Sequence, residues 1–376
     1  MSPTPAIGIP DVDEERLKRL VRSLINIYSP SGKEEELLLF LDTLLGRYGM
    51  VPQRVDVEES RYNLLLAPEE PVDLMLLGHI DTVPAFDMGM QRCRIRKGTV
   101  HGLGAADMKG GCAAMVEAFL SYREFRGRAP RAALALVVGE EESGDGAEAL
   151  VQTFRCPWAV VGEPTELQPC LGHFGYVEIE LETSGSRAHA SLSHREHNAV
   201  FRMLRVLLLL TGYLEEHHPE AAYNIRDLHS SEAGFAVPDR CRALVDLHLP
   251  PAVPVDRMCG DIQQLLSRKG SLSEKTRLSV EFPTSDAGYV LGRRGRIPQQ
   301  LKRILEAEQN SWHPSHFRSH SDAAILKAAG MKPLIYGPGK LSKAHTAHES
   351  VPFAEIARSA ATYLRLLLAQ DDSGNR

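Results

Sequence analysis

Histidines and carboxylates follow several short apolar runs that lie far apart in the chain. LMLL leads into GHIDTVP, ALALVV into GEEESGDG and WAVV into GEPT, which places there His79, Asp81, Glu140, Glu141, Glu142 and Glu163. The carboxyl ends of strands in an open α/β sheet line its ligand crevice, so these side chains are expected to meet at one edge. Carboxylates gathered there need a cation between them, which predicts a site for zinc or a related divalent ion.

Two further segments add residues of the same type. Asp107 lies in GLGAADMKGG just before a predicted helix, and His345 lies in GPGKLSKAHTAHE beyond the last apolar run. Taken singly, each has an ordinary explanation as a loop histidine or a solvated acidic turn. The repeated placement of such residues one or two positions past apolar runs is what favours a metal site.

The elements that must position these residues are predicted from apolar spacing. Helices are predicted over Asp13–Tyr28 and Glu34–Tyr48, with Ser31 as N-cap of the second and Glu34 completing a capping box. Continuous apolar runs are typical of parallel strands that are covered on both faces. These runs are Leu74–Leu77, Ala132–Val138 and Trp158–Val161, with a helix predicted over Met108–Phe125.

The pattern changes near Phe174, where YVEIELET alternates polar and apolar residues as in a strand with one wet face. The order strand, helix, strand, helix, strand then predicts an α+β insert with helices on one side of an antiparallel sheet. The predicted fold class is α/β, with a central mostly parallel sheet flanked by helices in a catalytic domain that carries this insert. The predicted domains are residues 1–173 and 286–376 for the catalytic domain and residues 174–285 for the insert.

Composition limits the function classes. The 376 residues carry a formal charge of -6, which argues against the broad basic face of a nucleic-acid binder. The Gly-rich segment GLGAADMKGG lacks the spacings of phosphate-binding loops. Six cysteines without a C-x-x-C pair favour a reduced, cytoplasmic protein, and no run predicts a signal or a membrane span.

Six segments together carry a family resemblance that extends over nearly the whole chain. They are GHIDTVP, GLGAADMKGG, the EE of GEEESGDG, GEPT, SGSRAHAS and GPG with AHTAHE. The chain resembles the dinuclear zinc amidohydrolases that include acetylornithine deacetylase, succinyl-diaminopimelate desuccinylase, aminoacylase and carboxypeptidase G. The resemblance implies two divalent ions per chain, zinc or alternatively cobalt, and a homodimer formed through the insert as a lid or dimerisation domain.

The resemblance also implies a set of metal ligands. His79 and Glu163 would bind the first ion, and Asp107 would bridge both ions. Glu142 and His345 would bind the second ion. His348 is the competitor for His345. Two bridged cations lower the pKa of a shared water towards neutrality, which gives a metal-bound hydroxide near pH 7.

The remaining implied roles concern protons and orientation. In the register that aligns the family pattern Glu-Glu-x-Gly, Glu141 is the general base. The register one residue earlier makes Glu140 the base and Glu141 the ligand. Asp81 resembles the carboxylate that orients the metal-binding imidazole. His189 in SGSRAHAS resembles the oxyanion donor that the family's lid domain supplies across a dimer.

The predicted function is hydrolysis of the amide bond of an N-acyl amino acid such as acetylornithine or acetyllysine. Alternatives are a dipeptidase or aminoacylase, and release of an amino acid from a carrier protein in lysine or arginine biosynthesis. A metal-free binding protein would lack a ligand or the base, whereas every expected position is filled.

Departures from the family leave the substrate open. Leu103 stands where the family usually has Arg, Phe235 where it has Asn, and His248 ends the family's Asp-x-Arg segment. Arg318 is a candidate partner for a substrate carboxylate, since a guanidinium binds one in bidentate fashion.

Overall fold

The structure, a computed structural model, describes residues 10–85, 92–194, 197–232, 234–269, 277–308 and 312–371. The chain divides into two compact units. The first is drawn from Met1–Leu171, Leu291–Phe317 and Ser321–Arg376, and the second from Gly172–Val290 with Arg318–His320. Within the described ranges, no helix has the length and apolar character needed to cross a membrane.

The helices and strands have the following bounds. The helices are α1 (Glu14–Asn26), α2 (Glu35–Arg47), α3 (Lys109–Arg126), α4 (Asp145–Thr153), α5 (Ala199–His217), α6 (Val255–Lys269), α7 (Arg296–Ala307), α8 (Ala323–Ala328) and α9 (Phe353–Asp371). The strands before the second unit are β1 (Gln53–Glu58), β2 (Arg61–Leu66), β3 (Leu74–His79), β4 (Arg94–Arg96), β5 (Thr99–His101), β6 (Ala133–Val137) and β7 (Trp158–Val161). The later strands are β8 (Cys170–His173), β9 (Gly175–Ser184), β10 (Ala222–Ser230), β11 (Arg240–Leu249), β12 (Leu278–Glu281), β13 (Ser285–Asp286), β14 (Tyr289–Val290), β15 (Ser315–Phe317), β16 (Lys332–Ile335) and β17 (Ser350–Pro352).

The first unit is built on a sheet with strand order β1-β2-β6-β3-β7-β16-β8. The four central strands, β6, β3, β7 and β16, are parallel to one another, whereas β1 with β2, β2 with β6 and β8 with β16 pair antiparallel. The predicted α/β class with a mostly parallel centre is confirmed, and the antiparallel strands at both sides are additions to it. Strands β3, β6 and β7 are fully buried, as their continuous apolar sequences require.

Helix α3 packs very closely on this sheet. A β-carbon added to Gly111 would lie 2.3 Å from the carbonyl oxygen of Gly162, just beyond the end of β7. Most of the helix is buried. Only glycine allows this approach, which brings the start of α3 next to the strand ends that carry the acidic residues.

The second unit is an antiparallel sheet with strand order β10-β11-β9-β12, to which β13 adds beside β9. Helices α5 and α6 contribute Met203, Leu210 and Ile262 to a core that also contains Val177 and Ile179 of β9. The alternating sequence of β9 is thus divided between buried and half-exposed positions, as expected for a strand with one wet face.

Ser31 does not cap the second helix, contrary to the prediction. Its hydroxyl donates a hydrogen bond to Oδ2 of Asp81 at 2.7 Å. Glu34 occupies the cap position of α2 without a capping bond, and its carboxylate instead accepts a hydrogen bond from Arg61 at 3.2 Å. Each side chain instead makes a hydrogen bond with a charged group from another part of the unit, which is stronger than a capping bond to a neutral backbone N–H.

Candidate metal centre

The loops at the carboxyl ends of the parallel strands hold most of the predicted site residues. His79 is the last residue of β3, and Glu163 lies two residues past β7. Glu140 and Glu141 lie in the turn between β6 and α4, and Asp107 lies two residues before the start of α3. His345 follows β16 and a short 3-10 turn at Leu341–Lys343, with φ at +55°. All belong to the first unit.

Asp107 lies at the centre of the cluster, with one carboxylate oxygen towards each of two histidines. Its Oδ1 is 3.2 Å from Nε2 of His79, and its Oδ2 is 3.5 Å from Nε2 of His345. One ligand atom each from His79, Asp107 and Glu141 lie within 4.8 Å of one another. The carboxylate of Asp107 therefore has the position expected of a bridge between two cations.

Each histidine has a carboxylate partner of its own. Glu163 Oε1 lies 3.8 Å from Nε2 of His79, and Glu141 Oε2 lies 2.9 Å from Nε2 of His345. We call His79, Glu163 and Oδ1 of Asp107 the His79 lobe. The His345 lobe consists of His345, Glu141 and Oδ2 of Asp107. Both contain the nitrogen and oxygen ligands that zinc prefers.

The structure does not bring Glu142 to the cluster. Its side chain is exposed, whereas the side chain of Glu140 is only 11% exposed and its Oε2 lies 3.8 Å from Nε2 of His79. The turn is closed by the carbonyl of Gly139, which accepts hydrogen bonds from the N–H groups of Ser143 and Gly144. This closure turns the chain outward after Glu141, so the geometry favours the earlier register over the one preferred from the sequence.

The two histidines of the last motif, His345 and His348, differ in their contacts. Both side chains are exposed, but His345 contacts Asp107 at 3.5 Å and Glu141 at 2.9 Å, whereas the described contacts include none between His348 and these two carboxylates. Glu349 is buried and accepts hydrogen bonds from the backbone N–H groups of Gly104, Ala106 and Asp107 at 2.9–3.1 Å. It therefore fixes the loop that presents the central carboxylate.

Asp81 links the imidazole and the acidic turn. Its Oδ1 lies 3.4 Å from Nδ1 of His79, which leaves Nε2 directed at Asp107. Its carboxylate also accepts the backbone N–H groups of Glu140 and Glu141 at 3.3 and 3.1 Å. One fully buried side chain thus sets the positions of groups from two segments.

Burial governs the electrostatics of the cluster. It raises the pKa of Glu140 and Glu163 well above the ordinary value, and neighbouring carboxylates add to the effect. Burial opposes the charged form of His79, but the carboxylates around it prevail and raise its pKa. Asp107 keeps a lowered pKa because His79 outweighs the burial. A site with several buried acids and few fixed positive charges is suited to cations.

Two buried carboxylates support the fit to metal ions. Oε1 of Glu163 and both carboxylate oxygens of Asp322 have no hydrogen-bond partner among the residues that the structure describes. Burial raises the pKa of Asp322 to about 8. Unpaired buried acceptors near His79 are what bound divalent ions would satisfy.

The pKa shifts predict how stability of the metal-free protein depends on pH. Burial raises the pKa of Asp322 to about 8 and of Glu349 to about 7, and Glu141 raises that of His345 to about 9 against the effect of burial. A raised folded-state pKa stabilises the fold at low pH, and that stabilisation is lost as pH rises through the folded value. We expect the metal-free protein to melt roughly 5 °C lower at pH 9 than at pH 6.5.

Zinc should reduce this difference, because bound cations stabilise the deprotonated groups. Thermal melts at both pH values, with zinc and with chelator, provide the measurement. The same fall in melting temperature with and without zinc would contradict the role of these groups.

Three other residues from the sequence analysis, His189, Phe235 and Arg318, lie in the second unit. His189 is exposed, with Nδ1 2.8 Å from Oγ of Ser191. Phe235 is 91% exposed, and its carbonyl accepts a hydrogen bond from Ala190 beside His189. The guanidinium of Arg318 lies over the ring of Phe174 at 5.5 Å.

Comparisons with known proteins agree with this geometry. Residues 75–369 match the model of peptidase family M20/M25/M40. A protein of Pyrobaculum aerophilum named as a LysW-lysine/LysW-ornithine hydrolase is 28% identical over 350 residues, which are 91% of this chain and 94% of the relative. Acetylornithine deacetylase of Myxococcus xanthus is 26% identical over 307 residues, 78% of each chain.

Solved structures share the fold. A tripeptidase of Staphylococcus aureus gives a TM-score of 0.81 at 20% identity and covers 97% of this chain and 100% of its own. Human carnosine dipeptidase 1 gives a TM-score of 0.76 at 13% identity, with 96% of each chain covered. The motif resemblance is thereby confirmed: the chain belongs to peptidase family M20/M25/M40 and is a metal-dependent hydrolase of amide bonds.

Proposed function

We propose that the protein hydrolyses the amide bond of an N-acyl amino acid whose amino acid is ornithine or lysine. The observation that carries the proposal is the position of Asp107 between the His79 and His345 lobes, which suits two ions acting on one small amide. Relatives named for acetylornithine and for LysW-linked lysine or ornithine support the substrate class. The LysW relative also favours a second candidate, release of the amino acid from a larger carrier.

The metal ligands follow the two lobes. His79 and Glu163 would hold one ion, His345 and Glu141 would hold the other, and Asp107 would serve both, with zinc as the proposed metal and cobalt as the alternative. When bound, the pair lowers the pKa of water and polarises the substrate carbonyl. Ligand geometry is maintained by Asp81, which orients His79, and by Glu349, which fixes the loop of Asp107.

Glu140 is the proposed general base. Its carboxylate is buried beside His79, and Glu141 next to it is committed to His345. Burial raises the pKa of Glu140, which makes its carboxylate a stronger base than an exposed glutamate. In this role it takes the proton of the attacking water and passes it to the nitrogen of the leaving amine.

The second unit is proposed to act as the lid and to form a homodimer, in which His189 donates a hydrogen bond to the developing oxyanion. Support for the dimer comes from apolar side chains left exposed in that unit. Leu204 and Leu208 of α5 are 46% and 73% exposed, and the edge strand β10 exposes Ile225 and Leu228. An open strand edge with apolar side chains is suited to pairing with a second copy of the chain.

Six cysteines, all free, support a reducing, cytoplasmic setting.

Amine release from a panel of substrates tests the function. The zinc-loaded protein is incubated with acetylornithine, acetyllysine, unmodified dipeptides and a carrier peptide with lysine in amide linkage. We expect release from the acetylated amino acids that stops on chelation and returns with zinc or cobalt. Release from the carrier peptide alone would select the second candidate. Faster release from dipeptides would reject both in favour of a peptidase.

A further inference from the structure

The turn that carries Glu140 and Glu141 is held from behind by side chains of β2. This strand runs antiparallel to β6, with Leu64 opposite Leu136, so the start of β2 lies beside the end of β6. The turn begins at that end. Residues Arg61 and Asn63 therefore reach the turn from the side away from Asp81.

Asn63 ties the two ends of the turn together. It is fully buried, its Oδ1 accepts the N–H of Val138 at 3.1 Å, and its Nδ2 donates to the carbonyl of Gly146 at 2.8 Å. A β-carbon on Gly146 would lie 2.1 Å from the carbonyl oxygen of Val138. The ends of the turn are thus so close that only glycine fits, and a single amide bridges them.

Arg61 holds the body of the turn. Its guanidinium donates to both carboxylate oxygens of Asp145 and to the buried carboxylate of Glu34, with the Nη2 contacts at 3.1 and 3.2 Å. Gly139, at φ +74°, lies directly against this pair, because a β-carbon there would be 2.0 Å from Asp145 and 2.6 Å from Arg61. A bidentate, largely buried guanidinium fixes its partner's direction as well as its position.

We infer that Arg61 is a positioning residue for the two acidic groups of the metal centre. It fixes Asp145 and Gly139, while Asp81 fixes the N–H groups of Glu140 and Glu141 from the opposite side. The turn is clamped between these contacts, so the carboxylate of Glu141 meets His345 with little freedom. The inference rests on the proposed roles of Glu140 and Glu141.

The variant Arg61→Met tests the inference, because it keeps the length of the side chain and removes the charged fork. We expect kcat to fall roughly 10–100-fold, the range for residues that orient metal ligands, with KM changed less than about twofold. The affinity for one of two zinc ions should fall about tenfold. The variant Arg61→Lys keeps a positive charge but not the planar fork, so its kcat should lie between those of Arg61→Met and the unmodified protein. A merely structural role would lower the melting temperature and leave kcat of the folded protein unchanged.

Arg131→Met is the matched control. Arg131 lies two residues before the other end of β6, is 46% exposed and pairs with Glu70 at 3.5 Å. It should match the unmodified protein in kcat and zinc affinity. The double variant Asp145→Asn with Arg61→Met should lower kcat little more than either change alone, since both changes remove the bidentate contact between Arg61 and Asp145. Additive losses would overturn the inference.

The outcomes separate this inference from the proposed function. Wild-type kcat and zinc affinity in Arg61→Met, together with weakened zinc binding in Glu141→Gln, would overturn the positioning role and leave the function intact. Full zinc affinity in Glu141→Gln would reject the ligand assignment itself. If Arg61→Met does not fold, Arg61→Lys decides: a reduced kcat in the folded protein supports the inference, and a wild-type kcat overturns it.

Discussion

Glu140→Gln is expected to lower kcat by about 10³-fold while the protein still binds two zinc ions. The substitution keeps the size of the side chain and removes the group that accepts the proton of the attacking water. Glu140 lies as close to Nε2 of His79 as Glu163 does, at 3.8 Å, but it is not one of the proposed ligands, so loss of its charge should leave the ligands in place. Steady-state rates together with metal analysis of the purified variant provide the measurement.

Glu142→Gln is the matched control, since it makes the same change two positions along the same turn. Its side chain is exposed, and we expect wild-type activity. An inactive Glu142→Gln with an active Glu140→Gln would restore the register preferred from the sequence. Loss of an ion in Glu140→Gln would show that Glu140 is a ligand and not the base.

Glu141→Gln and Glu163→Gln are expected to weaken the binding of different ions. Each removes one carboxylate ligand, and the affinity for that ion should fall roughly 100-fold. This is the upper end of the range for changes at residues that contact a metal ligand but not the metal itself. The other ion should keep its affinity because its histidine and one oxygen of Asp107 remain. Both variants should lose most of their activity at limiting zinc and regain part of it at high zinc.

Titration of cobalt into the metal-free variants distinguishes the two lobes. Glu141→Gln should behave like His345→Ala, and Glu163→Gln like a change at His79, because each pair shares one ion. Asp107→Asn should weaken both ions. Equal loss of both ions in each of the four lobe variants would contradict a two-lobed site.

Much of the fold was predictable because its central strands are apolar runs that end in glycine. Helix α3 and strand β9 were predicted to within a residue or two, since their spacing is set by burial on one face. Strand β10 was not predicted, because it lies at the edge of its sheet and is mostly exposed. The hairpin of β1 and β2 was missed for a related reason, since β1 is largely exposed and carries no continuous apolar run.

The site was predictable as a set of residue types but not in its register. Three adjacent glutamates give the same local pattern in two alignments, and the direction of each side chain depends on how the turn closes around Gly139. The roles of Glu349 and Arg61 depend on backbone and side chains more than 80 residues away in the sequence. Such contacts are set by the tertiary fold and leave no local signal.

The metal content of the purified protein tests the central account most directly. The protein is stripped with chelator, reloaded with zinc, dialysed and analysed by mass spectrometry, with Asp107→Ala treated in parallel. We expect two ions per chain in the unmodified protein and fewer than one in the variant, since Asp107 serves both lobes. Failure of the unmodified protein to retain zinc, or an unchanged content in Asp107→Ala, would contradict a metal centre bridged by this carboxylate.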